Sequence, residues 1–336
     1  MKISVMSDGG WGTAIALVLA SNGHTVTMWG PFEDYIEEMR ETRINRQFLA
    51  GIPLPDTLRL TADMGEAVAG AEIMVLAAPT QFARGMIEKI AVANPSDDQI
   101  IVSVAKGIEI GSLLRISQIC HELLPKRLPY AVLSGPSHAE EVAQRIPTAV
   151  VVASKGAEIA NRVQDAFMNN RFRVYTSDDV VGVELAGALK NVFAIAAGIC
   201  DGMAFGDNTK AALITRGIAE MARLGQMLGG RPETFSGLSG VGDMIVTCTS
   251  GHSRNRHVGE QLGKGLALDD VIASMGRSVA EGVSTTRSAY ELARENAVET
   301  PIIREIYAGL YQGKDPREGV RDLMTRAARC ERETDF

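Results

Sequence analysis

Residues 1–30 read MKISVMSDGG WGTAIALVLA SNGHTVTMWG, and this stretch decides the fold. Lys2–Met6 has the apolar, β-rich character of a short buried strand, and Gly9, Gly10 and Gly12 make a turn after it. Residues 13–22 then carry an apolar helical pattern that Gly23 ends, and residues 24–29 return to β-branched strand. That is a βαβ unit. Its glycines sit in the frame Ser7-x-Gly9-x-x-Gly12, a Gly-x-Gly-x-x-Gly fingerprint with its first glycine replaced. Strand, turn and helix together put backbone amides of a helix start where a pyrophosphate binds.

Outward from this unit the alternation continues. Strands are expected at residues 72–77, 99–104, 130–134 and 148–153, with helices at 81–92 and 112–123 between them and a last strand at 172–176. Such an order implies a mainly parallel, doubly wound sheet. Strand signals then largely stop. Ser177-Asp178-Asp179 offers an N-cap, residues 180–200 are apolar nearly all round and read as a buried central helix, and further helices are expected at 208–228 and 284–296. The predicted architecture is an α/β, Rossmann-like dinucleotide-binding domain over residues 1–178 and an all-α substrate and catalytic domain over 179–336.

Composition narrows the function. With 34 Lys plus Arg against 41 Asp plus Glu the net charge is −7, which disfavours nucleic acid and anionic membrane as partners and makes any phosphate site local. Cys120, Cys200, Cys248 and Cys330 lie tens of residues apart, without the spacing of a metal site or a disulfide framework. No signal-peptide core or membrane-length apolar run is legible, so the expectation is a cytoplasmic protein without stable membrane insertion and without a metal.

Three features carry chemistry. At the tip of the second strand stands Trp29-Gly30-Pro31-Phe32-Glu33, with neither an acid for a ribose 2′-hydroxyl nor an arginine for a 2′-phosphate, so NAD and NADP both fit; Glu33 reads as a solvated helix-start residue. Lys190, followed by Asn191, interrupts the apolar helix, whose other strongly polar member is Glu184. A lysine there either snorkels to the surface or serves as a general acid whose pKa burial has lowered. Finally Gly237-Leu238-Ser239-Gly240-Val241-Gly242-Asp243 and Ser253-Arg254-Asn255-Arg256 read either as a flexible turn before an exposed basic helix start, or as a ligand loop whose Arg254 grips phosphate.

Along essentially its whole length the chain resembles the bacterial-type NAD(P)-dependent glycerol-3-phosphate dehydrogenases. The matching blocks are Gly9-x-Trp11-Gly12, Ala105-Lys106-Gly107, Leu133-Ser134-Gly135-Pro136-Ser137, Glu184-Leu185-x-Gly187-Ala188-Leu189-Lys190-Asn191, Gly240-x-Gly242-Asp243, Thr247-Cys248-Thr249, Ser253-Arg254-Asn255 and Glu281-Gly282. The resemblance implies interconversion of sn-glycerol 3-phosphate and dihydroxyacetone phosphate with NAD or NADP, supply of glycerol 3-phosphate for phospholipid synthesis, and a homodimer. It implies Lys190 as proton donor and acceptor, with Lys106 and Asn191 at the reacting oxygen and Asp243 with Thr247 orienting the lysine. Gly135 and Ser137 would line the substrate pocket, and Ser253, Arg254 and Asn255 would take the phosphate. Gly9, Gly10, Trp11, Gly12, Pro31, Lys106, Ala139, Arg254, Val279 and Glu281 would contact the cofactor. Departures from the family pattern cluster on the cofactor side: Ser7-Asp8 for Gly-Ala, Gly10 for a small residue such as serine, Ala105 for a hydroxyl residue, His138 for phenylalanine, and Pro31 where many relatives are basic. Asp8 is expected beside the pyrophosphate, repelling it, and Ser7 would be strained if its φ were positive.

Two rivals belong beside this reading. A 3-hydroxyacid or ketopantoate-type dehydrogenase shares the fold expectation, but Arg254-Asn255 with Lys106 favours a phosphorylated substrate. A catalytically silent dinucleotide sensor is suggested by the altered fingerprint and opposed by the intact Lys190, Asp243 and Arg254. A sugar-nucleotide dehydrogenase would need a nucleophilic cysteine, and Cys200 and Cys248 read as packed residues.

Overall fold

The structure is a computed structural model that describes residues 1–124, 128–328 and 330–331. Among the described residues eight strands form one sheet: β1 (Lys2–Met6), β2 (Thr25–Trp29), β3 (Arg59–Thr61), β4 (Ile73–Leu76), β5 (Ile100–Ser103), β6 (Tyr130–Ser134), β7 (Thr148–Ala153) and β8 (Phe172–Ser177). Their order is β3-β2-β1-β4-β5-β6-β7-β8. Neighbours pair in parallel, except that β6 meets β7 antiparallel. In β1, Ile3 to Met6 are all buried, as are all of β4 and β5, because a parallel sheet is covered by helices on both faces. One apolar cluster, containing Ile15, Leu19 and Ile36, fills one side of the sheet, and another, containing Met86, Ile87 and Ile119, fills the opposite side.

The second half is helical. Asp179 caps the central helix Val180–Gly202 by accepting from the Gly182 amide at 2.9 Å. The helix is long and apolar enough to cross a membrane, yet 94% of its apolar window is buried in this protein, where Asp207–Met227, Asp243–Thr249, Arg254–Gly263 and Glu281–Glu295 pack around it. Its crossing with Arg254–Gly263 is close enough to require glycine on both helices. A Cβ on Gly198 would collide with the Arg256 carbonyl oxygen, and one on Gly259 with that of Ile195.

Several boundaries differ from expectation for physical reasons. The glycine turn is itself helical from Gly10, with Gly9 extended before it (φ −65, ψ 166), so the helix Gly10–Ser21 starts three residues before the expected 13. The helix expected from 112 begins at Ile116, because Gly111 and Leu113 lie at φ 84 and 59, outside helical space. The helix expected from 284 begins at Glu281, where a tertiary bond from the Gly282 amide to Asn255 Oδ1 at 2.9 Å pins its first turn. The three-residue β3 is too short to leave a periodic signal. Ser7 is not among the residues of positive φ, so the condition under which it would be strained is not met.

Candidate active site

Glu184 and Lys190, the two charged side chains of the buried run of the central helix, face different partners. Glu184 accepts from the Ser117 amide at 2.8 Å, Ser117 Oγ at 2.6 Å and Tyr130 Oη at 2.7 Å, and pairs with Arg115, tying the helix to the sheet domain. Lys190 does not snorkel. Its Nζ is buried and donates to Asp243 Oδ1 and, at 2.7 Å, to Thr247 Oγ1. The other oxygen of the same carboxylate, Asp243 Oδ2, accepts from Lys106 Nζ at 2.7 Å. Lys106 Nζ also donates to the Gly135 carbonyl at 2.9 Å and to Ser137 Oγ at 3.3 Å. Thus Lys106, Gly135, Ser137, Lys190, Asp243 and Thr247 converge from distant parts of the chain.

Electrostatics follow from that packing. Burial lowers the Lys190 ammonium to about 8; Asp243 opposes the shift and the Lys106 charge adds to it. Burial alone would raise the Asp243 carboxyl, but the two ammonium groups more than reverse this and hold it below the usual range. His138, at the start of the short helix Ala139–Ala143, is half-buried, and burial followed by the Lys190 charge lowers its pKa. A lysine poised near neutrality and held by a fixed carboxylate suits proton exchange with a substrate oxygen.

Around this cluster runs a chain of amides. Asn191 Nδ2 donates to the Lys106 carbonyl at 2.9 Å, and Asn255 Nδ2 donates to Asn191 Oδ1 at 2.8 Å. The Asn255 side chain is therefore committed to holding Asn191 and the Gly282 amide. Ser253 is buried and caps Arg254–Gly263, its Oγ accepting from the Arg256 amide at 3.2 Å. Arg254 is exposed at the first position of that helix, and its side chain makes no hydrogen bond or ion pair among the described residues. Gly135 sits at φ 141, and a Cβ there would meet Val150 Cα at 2.9 Å, so only glycine turns the chain toward Lys106.

The dinucleotide half fits a nicotinamide cofactor on its own geometry. No side-chain cap occupies the N-terminus of Gly10–Ser21, and no acid lies in its first turn. A Cβ on Gly10 would come within 2.6 Å of the Phe48 carbonyl oxygen, and one on Gly12 within 2.7 Å of that of Ser7. Trp11 Nε1 is buried without a hydrogen-bond partner among the described residues, and Lys106 Nζ lies 6.0 Å from the Trp11 ring centroid. Ala139 borders Gly10, Val279 is half-buried beside Ala280, and Pro31 is exposed just beyond β2. Glu281 reaches across to the sheet domain, accepting from the Thr80 amide at 2.6 Å.

The residues that sequence reasoning missed here are Asn45, Thr80 and Arg277. Asn45 is fully buried and clamps the glycine turn, donating to the Asp8 carbonyl at 2.7 Å and Thr13 Oγ1 at 2.8 Å. A lone asparagine in a loop carries no signal of this. Burial pushes the thiols of Cys200 and Cys248 up to about 11 and about 12, which keeps both protonated at neutral pH.

Residues 2–160 match the family described as NAD-dependent glycerol-3-phosphate dehydrogenase N-terminus, and residues 179–321 match its C-terminus. Among curated relatives, a glycerol-3-phosphate dehydrogenase [NAD(P)+] of Geobacillus thermodenitrificans is 52% identical, over 98% of this chain and 96% of its own. One of Chlorobium limicola is 48% identical, over 98% and 99% respectively. The solved glycerol-3-phosphate dehydrogenase of Coxiella burnetii superposes with a TM-score of 0.93 at 37% identity, covering 97% of this chain and 99% of that one.

Proposed function

The chain belongs to the NAD-dependent glycerol-3-phosphate dehydrogenase family, and from that premise we infer how its residues carry the reaction. The enzyme interconverts sn-glycerol 3-phosphate and dihydroxyacetone phosphate with NAD or NADP, the step that supplies glycerol 3-phosphate for phospholipid synthesis. The nicotinamide, when bound, supplies or accepts the hydride at the carbon that is ketone or alcohol. Lys190 Nζ gives a proton to the ketone oxygen in reduction and takes it back from the alcohol in oxidation. Lys106 adds positive charge where the oxygen becomes negative, and Asp243 holds both ammonium groups in place. Thr247 orients Lys190, while Asn191, through Lys106 and Asn255, keeps the two lysines in register.

Gly135 and Ser137 line the substrate side of Lys106. Arg254 binds the substrate phosphate, and the first-turn amides of Arg254–Gly263 assist it. The Asn255 side chain being engaged elsewhere, its part in phosphate binding falls to its backbone amide. Gly9, Gly10, Trp11 and Gly12 would hold the cofactor pyrophosphate, and Pro31, Lys106, Ala139, Arg254, Val279 and Glu281 would surround the rest of the molecule. Residues 1–178 act as the cofactor domain and 179–336 as the substrate domain, in a cytoplasmic homodimer.

The observation that carries this reading is one buried carboxylate gripping two lysines from opposite domains. It is tested by following the nicotinamide absorbance with dihydroxyacetone phosphate and, separately, with unphosphorylated dihydroxyacetone. The second ketone is a very poor substrate. Arg254→Ala raises KM for the first by about 10- to 150-fold, equivalent to about 1.5 to 3 kcal/mol, the worth of a charge-assisted forked contact. Equal turnover of the two ketones by the parent would overturn the phosphate assignment.

A further inference from the structure

A dinucleotide fold reads the adenosine ribose at the tip of its second strand, where an acid accepts a hydrogen bond from the 2′-hydroxyl. Here that strand, β2, runs out into Gly30 and Pro31 and brings no acid of its own. β1 and β2 are parallel with Met6 opposite Trp29, so the chain just beyond β1 lies against the β2 tip. Asp8 stands there. A Cβ built on Gly30 would lie 2.7 Å from Asp8 Oδ2 and 2.9 Å from its Cγ. The carboxylate thus occupies the space in which a side chain at position 30 would begin.

This carboxylate is unfinished. Asp8 is 7% exposed, and its Oδ2 is buried without a hydrogen-bond partner among the described residues. Asn45 holds the Asp8 carbonyl at 2.7 Å, which fixes the backbone that aims the side chain. On the outer side Arg277 lies over Phe32, its Cζ 5.1 Å from the ring centroid, and donates to Gln47 Oε1 at 3.4 Å. It forms no ion pair with Asp8 among the described residues. An orphaned buried acceptor is costly unless a ligand donates to it.

We propose that Asp8 reads the adenosine ribose in this chain: supplied from the glycine turn rather than from β2, its carboxylate accepts a hydrogen bond from the ribose 2′-hydroxyl and selects NAD(H) over NADP(H). A 2′-phosphate would have to settle beside a carboxylate that has no cation bonded to it. The carboxylate lies against Gly30 at the β2 tip, which gives it this role beside the pyrophosphate repulsion expected from its place in the glycine turn. Arg277 is near enough for its charge to favour the ionised Asp8 carboxylate, against burial, the larger effect, which raises its pKa; its guanidinium is engaged by Phe32 and Gln47.

Calorimetric titration of the full chain with NADH, NADPH, ADP-ribose and 2′-phospho-ADP-ribose tests this without turnover. The parent binds NADH and ADP-ribose at least about tenfold more tightly than their 2′-phosphorylated counterparts, the scale of one charge-assisted hydrogen bond. Asp8→Ala weakens NADH about tenfold and leaves NADPH unchanged or tighter, so the preference collapses. Asp8→Asn keeps an acceptor oxygen without the charge; it retains most NADH affinity and gains NADPH affinity, and it carries the comparison if the alanine variant does not fold. A parent that prefers NADPH, or variants that shift both cofactors by the same factor, would overturn the proposal.

Discussion

Two buried aspartates sit in the two halves of the functional region, and their surroundings are opposite. Asp243 accepts from Lys106 and Lys190 on separate oxygens, and Thr247 stands against it. Asp8 has a buried oxygen with no hydrogen-bond donor among the described residues. The first carboxylate is satisfied by the protein itself, so the proton-handling group is assembled before substrate arrives. The second is left for a ligand to satisfy, so its worth is realised only on binding. Preorganised charge serves catalysis, whereas an unfilled acceptor serves selection.

The sharpest way to break this contrast is to remove the proton donor. Lys190→Ala lowers kcat by about 10² or more, the usual contribution of general acid catalysis, while calorimetric cofactor affinity stays near that of the parent. A variant with near-normal kcat would take Lys190 out of the mechanism. A variant that lost cofactor affinity instead would mean that the two halves are not separable.

A pH profile sharpens the same point with a smaller effect. Reduction needs the Lys190 ammonium, which exists below its pKa of about 8, so the rate holds at lower pH and falls as pH rises through that value. Oxidation needs the neutral amine and shows the reverse. Asp243 raises the lysine pKa, so Asp243→Asn moves both breaks to lower pH. Profiles that keep their midpoint in the variant would show that Asp243 does not set the proton affinity.

The smallest effect belongs to the glycine turn. Ser7 is in ordinary backbone space and offers Oγ to the Gly9 amide at 3.1 Å. Ser7→Gly therefore gains nothing from relieved strain, and costs less than about 1 kcal/mol in a denaturant melt for one modest hydrogen bond. A stabilised variant would restore the strain argument that the backbone angles oppose.

Much of this was legible without coordinates, and the reason is range. The βαβ unit, the mainly parallel sheet and the buried central helix rest on periodicity and turn chemistry that act over a few residues, so they survive being read one segment at a time. Lys190 stood out because a charge interrupts an apolar helix. The resemblance, not spacing, brought Lys106, Asp243 and Arg254 beside it, since Lys106 and Asp243 are 137 residues apart. Other features had no local signature. The Thr80 to Glu281 bond spans 201 residues, the Asn45 clamp spans 37, and the committed Asn255 side chain was read instead as a phosphate ligand.

What the sequence by itself determined, then, is the order of strands and helices, the helix start that can cradle a pyrophosphate, and the family. What only the tertiary structure decided is where each charge ends up: both lysines on one carboxylate, and Asp8 packed against Gly30 at the tip of β2. Local conformation follows from each residue and its near neighbours. The environment of a charge is set by whatever the folded chain packs against it, and burial and long-range pairing alter its free energy by amounts that no local spacing encodes.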